Sequence, residues 1–118
     1  MSKAPSRNLI ADELINGYRI SYLGMDALRS EFERTRDINR AIVWAYHILL
    51  SKFPDPLIIA KFGVQLAEDV LRKARNALIT RDFRSLDEEL LKMDVNPGTI
   101  ADLTTSSIFL ALMGGLQF

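Results

Sequence analysis

Apolar residues recur at intervals of three and four along most of this chain. No segment alternates with the two-residue period of a half-buried strand, so the pattern predicts about five helices. The first spans about Leu9 to Arg34, where Ile10, Leu14, Tyr18, Tyr22, Met25, Leu28 and Phe32 make one continuous face. Gly17 and Gly24 lie seven residues apart with Ser21 between them, on another face. Small residues so placed either let a neighbouring helix approach closely or leave room for a ligand. Asp37 suits the N-cap of a second helix ending near Lys52, with Ile38, Ile42, Ala45 and Leu49 as its core stripe. His47 falls among these apolar positions. With no titratable partner within one helical turn, it reads as a packed or capping residue rather than a general base.

The clearest helix start is Asp55-Pro56, a carboxylate at the N-cap followed by a proline where its missing N–H is harmless. From it a third helix is predicted to continue through Gly63 to about Leu78. Glu68 with Arg72 and Asp69 with Lys73 are spaced for i,i+4 pairs on its solvated face. Thr80 to Arg84 reads as a polar connection. Ser85 with Glu88 forms a capping-box pattern that opens a short helix, Leu86 to about Met93. After the turn Asn96-Pro97-Gly98-Thr99, a last helix runs from about Ile100 to Met113, where Gly114 and Gly115 stop it. It is apolar on nearly every side, which predicts burial. The expected fold is all-α: about five helices in a single compact bundle, one domain over residues 1–118, with 1–8 a flexible N-terminal stretch.

Composition narrows the chemistry. Fifteen Lys and Arg balance fifteen Asp and Glu and the pI is near 6.6, so there is no basic excess with which to hold nucleic acid. Cys is absent and His47 is the single histidine. Disulfides, thiolate zinc sites and cysteine nucleophiles are thereby excluded, as are His-pair metal sites and Ser-His-Asp hydrolases built from one chain. The opening MSKAPSRNLIADEL has basic residues with no apolar run behind them. The longest apolar-rich stretch, Ile108 to Leu116, is far short of the roughly 20 residues that span a bilayer. A cytoplasmic protein without membrane association or a resident metal is expected.

Two helix starts are candidate ligand sites. In FPDPLIIAKFG, Asp55 caps the helix and Lys61 lies one to two turns on. In NPGTIADL, Asn96 opens the turn, Gly98 permits close backbone approach, and Thr99 offers an N–H and a hydroxyl. Asp102 there could close a capping box or hold a cation or a ribose hydroxyl. Helix N-termini gather unpaired N–H donors at the positive end of the dipole, so phosphate is the natural guest. Ordinary capped turns have the same composition. The GxxxxGK[ST] phosphate loop is absent.

These two segments resemble elements of the triphosphoribosyl-dephospho-CoA synthase family. NPGTIADLTTSSIFLAL is similar to its C-terminal signature, an (N/S)PG-x-x-ADL element before an apolar helix. FPDPLIIAKFG is similar to an upstream element in which Pro-Asp precedes a short apolar run, a basic residue and a glycine. Their order fits, with LDEELL just before the second, and the likeness covers roughly Asp12 to the C-terminus. In this resemblance Asp55 matches the family aspartate, Lys61 a basic position and Gly63 the glycine. Asn96, Pro97, Gly98, Ala101, Asp102 and Leu103 match the second element. Pro56 and Leu57 depart from the small polar residues common after the aspartate, and Ala60 lies beside the basic position.

The resemblance implies an all-helical fold and transfer of the triphosphoribosyl group of ATP to 3′-dephospho-CoA, with adenine released. ATP would be a substrate and magnesium its counter-ion, with a nucleotide or CoA-type ligand as partner. Asp55, Lys61, Asn96, Gly98, Thr99 and Asp102 would bind substrate or phosphate. The family's histidine- and glycine-rich N-terminal elements have no counterpart in this chain. The expectation is therefore a C-terminal half that needs a companion N-terminal chain for turnover. The rival expectation is a non-catalytic helical interaction module that self-associates, as domains cut from larger bundles commonly do.

Overall fold

Three of the helix starts are capped by a neighbouring aspartate, Asp37, Asp55 or Asp82. A computed structural model describes residues 18–116 and contains, among them, six α-helices and no strand. They are α1 Arg19–Thr35, α2 Ile38–Lys52, α3 Pro56–Phe62, α4 Val64–Thr80, α5 Phe83–Lys92 and α6 Gly98–Met113. The protein is thus all-helical. The N-terminal stretch 1–8, and the part of the first predicted helix that includes Gly17, lie outside the described residues. Asp37 caps α2 by accepting the Arg40 N–H at 3.2 Å, and the helix ends at Lys52 as predicted.

Several features differ from the sequence reading. Tyr18, expected inside the first helix, has a left-handed backbone (φ 65°), and α1 begins only at Arg19. The predicted third helix is two, α3 and α4, broken at Gly63. That residue takes φ 99° and ψ 165°, a conformation essentially reserved for glycine. Its N–H closes α3 on the Ile59 carbonyl at 2.9 Å, and its carbonyl receives the Ala67 N–H at 3.4 Å to begin α4. The break lets α3 pack on α6 while α4 packs on α2 and α5. Next, α5 starts three residues early. Asp82 takes the cap, accepting the Ser85 N–H at 3.2 Å and the Ser85 hydroxyl at 2.7 Å, so the Ser85 capping box does not form. Finally, the charges on α4 pair differently: Asp69 binds Arg72, and Lys73 reaches across to Glu89 of α5.

Helix α2 is central and packs on α1, α4 and α6. Its C-terminal Leu49 and Leu50 enter the larger apolar cluster with Ile58, Val70, Ile100 and Leu103. Its N-terminal Ala41 and Ala45 enter a smaller one with Leu28, Phe32 and Ala111. The glycine face of α1 is a packing face. A Cβ on Gly24 would lie 2.1 Å from Ser107 Oγ and 3.1 Å from Leu49 Cδ1, so the absent side chain brings α1 against α6 and α2. The last helix is buried along one face at Ile100, Leu103, Ser107 and Ala111, but not on every side as its composition predicts: Phe109 is 63% and Met113 70% exposed. No helix among the described residues is long and apolar enough to cross a membrane.

One buried carboxylate ties distant segments together. Glu31, 4% exposed, accepts Arg34 Nε at 3.1 Å and Nη2 at 2.9 Å, and Arg81 Nη1 at 2.6 Å. The Arg81 guanidinium also lies 4.1 Å over the Trp44 ring, joining α1, α2 and the end of α4. Arg81 reaches both partners from a left-handed backbone (φ 62°).

Two outcomes follow from this packing. Gly24→Ala should cost on the order of 1–3 kcal/mol in urea unfolding, as overpacking does, and adding Ser107→Gly should recover part of the loss. For Glu31, hydrogen bonds from Arg34, and then from Arg81, hold the carboxyl below the usual range against the opposing effect of burial. A depressed folded pKa gives stability that is full above the unfolded pKa and falls away as pH drops through the folded one. The unfolding midpoint should therefore fall below about pH 4.3, and Glu31→Gln should flatten that acid limb while lowering stability at neutral pH.

Candidate functional site

The site is organised by the residue that the sequence marks as a helix cap. Asp55 is 1% exposed. Its Oδ1 accepts the Leu57 N–H at 2.8 Å and the Ile58 N–H at 3.3 Å, which caps α3. Its Oδ2 accepts the Ile100 N–H at 2.8 Å, from the first turn of α6 and 45 residues along the chain. One carboxylate therefore serves two helix N-termini, each presenting unpaired donors and a positive dipole end. The anion that sequence logic placed at the start of α6 is a side chain of this protein.

The turn leading into α6 is tight. Asp94 adopts a left-handed backbone (φ 57°), and the Val95 N–H returns to the Leu90 carbonyl at 2.9 Å to close α5. The Gly98 N–H bonds the Asn96 carbonyl at 2.8 Å, and the Ala101 N–H bonds the Pro97 carbonyl at 3.0 Å. A Cβ on Gly98 would meet Leu57 Cδ1 at 2.7 Å, so glycine lets the turn lie against α3. The two sequence elements are one structural unit, with Asp55 and Gly98 at its joint.

Beside that joint is a cavity of about 500 Å³ lined by Leu57, Ile58, Ala60, Lys61, Phe62, Asp94 and Asn96. The fold thus brings Lys61 and Asn96 to one place. Thr99 and Asp102 do not line it: Thr99 is buried in the first turn of α6, and Asp102 is exposed. Asp94 does line it, and nothing in the sequence pattern marked that residue. The described residues hold no group of three or more His, Cys, Asp or Glu able to cage a metal ion.

A second cavity of about 270 Å³ lies between α2, α5 and α6, with His47, Asp87 and Thr104 among its walls. His47 is packed, as its apolar neighbours suggest, its ring 4.4 Å from that of Phe83 and 4.9 Å from that of Tyr46. Missing from the sequence reading was Asp87, whose Oδ1 stands 3.6 Å from His47 Nε2. The only sequence signal was an acidic residue on the amphipathic α5, which reads as solvated.

With this geometry in place, comparison with known proteins is informative. A protein-family model described as CitG, ATP:dephospho-CoA triphosphoribosyl transferase, matches residues 1–117, so the match begins well before Asp12. A crystal structure described as a candidate triphosphoribosyl-dephospho-CoA synthase from Archaeoglobus fulgidus is similar at 50% identity and TM-score 0.84, covering 97% of this chain and 50% of that one. This chain spans about half the length of that solved relative. A search of curated proteins gives no match.

The joint can be tested by stability. Asp55→Ala leaves buried N–H groups of two helices unpaired and should cost roughly 3–5 kcal/mol by denaturant unfolding, from an N-cap plus a further buried bond. Asp55→Asn keeps one acceptor oxygen and should cost clearly less. Equal, small losses for both would show that the carboxylate does not hold the two elements together.

Proposed function

The chain belongs to the ATP:dephospho-CoA triphosphoribosyl transferase family, and on that premise we propose that it takes part in moving the triphosphoribosyl group of ATP onto dephospho-CoA. In that reaction the bond between the ribose anomeric carbon and adenine breaks. A bond to a substrate hydroxyl forms, and the hydroxyl proton ends on the departing adenine. The observation that carries the reading is the Asp55 joint, which sets Lys61 and Asn96 on one cavity of about 500 Å³, within the size range of ligand pockets.

In this reading Lys61 gives phosphate a point charge and Asn96 an amide donor. Asp55 and Gly98 act as positioning residues, and Thr99 and Asp102 contribute through the first turn of α6. Asp94 lines the same cavity. Its carboxylate repels a bare polyphosphate and tolerates one that carries magnesium, which therefore enters as the counter-ion of ATP.

Two highly charged substrates need more convergent donors than Lys61 and Asn96 supply. A companion chain or a second copy completes the site in this proposal. Its support is the apolar end of α6, where Phe109, Leu112 and Met113 are exposed. That same apolar end favours a second reading, self-association without catalysis.

Calorimetric titration of magnesium-ATP and of dephospho-CoA discriminates between them. Binding of either, weakened about tenfold by Lys61→Ala through loss of one charge-assisted contact, supports the transfer reading. No heat from either ligand, combined with a concentration-dependent dimer in sedimentation, removes it in favour of the module. Lys61 is exposed, so the variant should unfold at the wild-type denaturant concentration.

A further inference from the structure

The cavity at His47 has a chemical character opposite to that of the Lys61 cavity. His47 Nδ1 lies 2.8 Å from the Val43 carbonyl oxygen. A carbonyl can only accept, so Nδ1 carries the hydrogen and the neutral ring points a lone pair from Nε2. Burial pushes the imidazole below its usual pKa, against the opposing effects of the Val43 bond and of Asp87, which favours that neutral form. The residue is 1% exposed, and Nε2 has no hydrogen-bond partner among the described residues. Its nearest polar neighbour, Asp87 Oδ1 at 3.6 Å, is itself an acceptor. A buried acceptor left unpaired is costly, so this nitrogen is poised for an added donor.

The surrounding groups narrow what that donor is. Thr104 spends its hydroxyl hydrogen on the Ile100 carbonyl at 2.9 Å, and Thr105 on the Ala101 carbonyl at 3.2 Å. Their lone pairs remain, so the polar wall presents acceptors. Among the described residues no Lys or Arg lines the cavity, and Asp87 adds negative charge, which disfavours phosphate. An ammonium could donate to Nε2 too, but it would give up its strong hydration for a solvent-screened ion pair with a carboxylate that is 59% exposed, in a cavity walled mainly by apolar side chains. A vicinal diol fits better, since its adjacent O–H groups can donate one to Nε2 and one to Asp87.

We propose that this cavity between α2, α5 and α6 is a sugar-diol site in which His47 Nε2 and Asp87 accept the hydroxyls of a ribose. It deepens the transfer reading, on which the choice of ribose rests, by separating recognition of the sugar from that of the phosphates at Lys61.

Because the chain has one histidine, nitrogen NMR of the full-length, histidine-labelled protein reports on this site without ambiguity. Adenosine should shift the Nε2 resonance and leave Nδ1 protonated. Both 2′,3′-dideoxyadenosine and inorganic triphosphate should leave Nε2 unmoved. Asp87→Asn, an exposed substitution compatible with folding, should weaken adenosine binding about tenfold, the equivalent of one charge-assisted bond. A shift with dideoxyadenosine or triphosphate equal to that with adenosine overturns the proposal, and so does no shift with adenosine. ATP heat without an Nε2 response sinks the diol site and leaves the transfer reading standing. An adenosine response without ATP heat does the reverse.

Discussion

The arrangement depends on a single buried carboxylate. Asp55 lies where α3 and α6 both begin, and its two oxygens satisfy backbone donors of each. A helix start needs acceptors for N–H groups that have no partner within the helix. Two such starts meeting in an apolar interior would each need their own. Sharing one anion between them solves both, and it also determines how the α3 segment lies against the turn at residues 94–98. The α3–α6 contact is otherwise slight: Ile58, Ile100 and Leu103 share the larger cluster, and Leu57 lies against Gly98. Apolar burial of that extent is not directional, so the register of the joint rests on hydrogen bonds.

Local signals of this kind were legible in the sequence. Asp37 and Asp55 could be assigned as caps because the residue, the following helix and, at Asp55, the proline all act within four positions. Gly63 was misread for the opposite reason. A glycine inside an apolar periodicity is tolerated at about 1 kcal/mol, and nothing nearby says that α3 must turn toward α6. The Ser85 box lost to Asp82 because both caps satisfy the same rule, and only packing of Phe83 and Leu86 decides between them. The reach of Asp55 to Ile100, and of Asp87 to His47, spans separations at which no pattern operates. Lys61 and Asn96 could be paired only through the family likeness, since periodicity puts no constraint on residues in different elements.

Charge is partitioned with similar economy. Glu31 is buried but surrounded by Arg34 and Arg81, so its desolvation is met by charge-assisted bonds. Asp55 is buried without a cation and relies on three amides. Each carboxylate accepts three hydrogen bonds within the chain, a structural use of its charge. Nε2 of His47 has no such partner among the described residues, and Lys61 and Asn96 are exposed at the other cavity. Unspent hydrogen-bonding capacity, rather than burial or residue type, separates the positions able to meet a ligand from those that only build the scaffold.

That distinction bears on the family's reaction. A triphosphoribosyl donor has a polyanionic end and a polyol middle, and these make incompatible demands on a surface. Cations and amides suit the first; acceptors suit the second. Crowding both sets into one pocket would pair Lys61 with Asp87 and consume the capacity of each. In the proposed reading, separate cavities flanking the first turns of α6, one at Asn96 and one at Ala101 and Thr104, keep both available. The helix that carries the family-like element is then the divider between two chemistries. Its firm seating by Asp55 at one end and by the Gly24–Ser107 contact further along is what keeps the spacing between them constant.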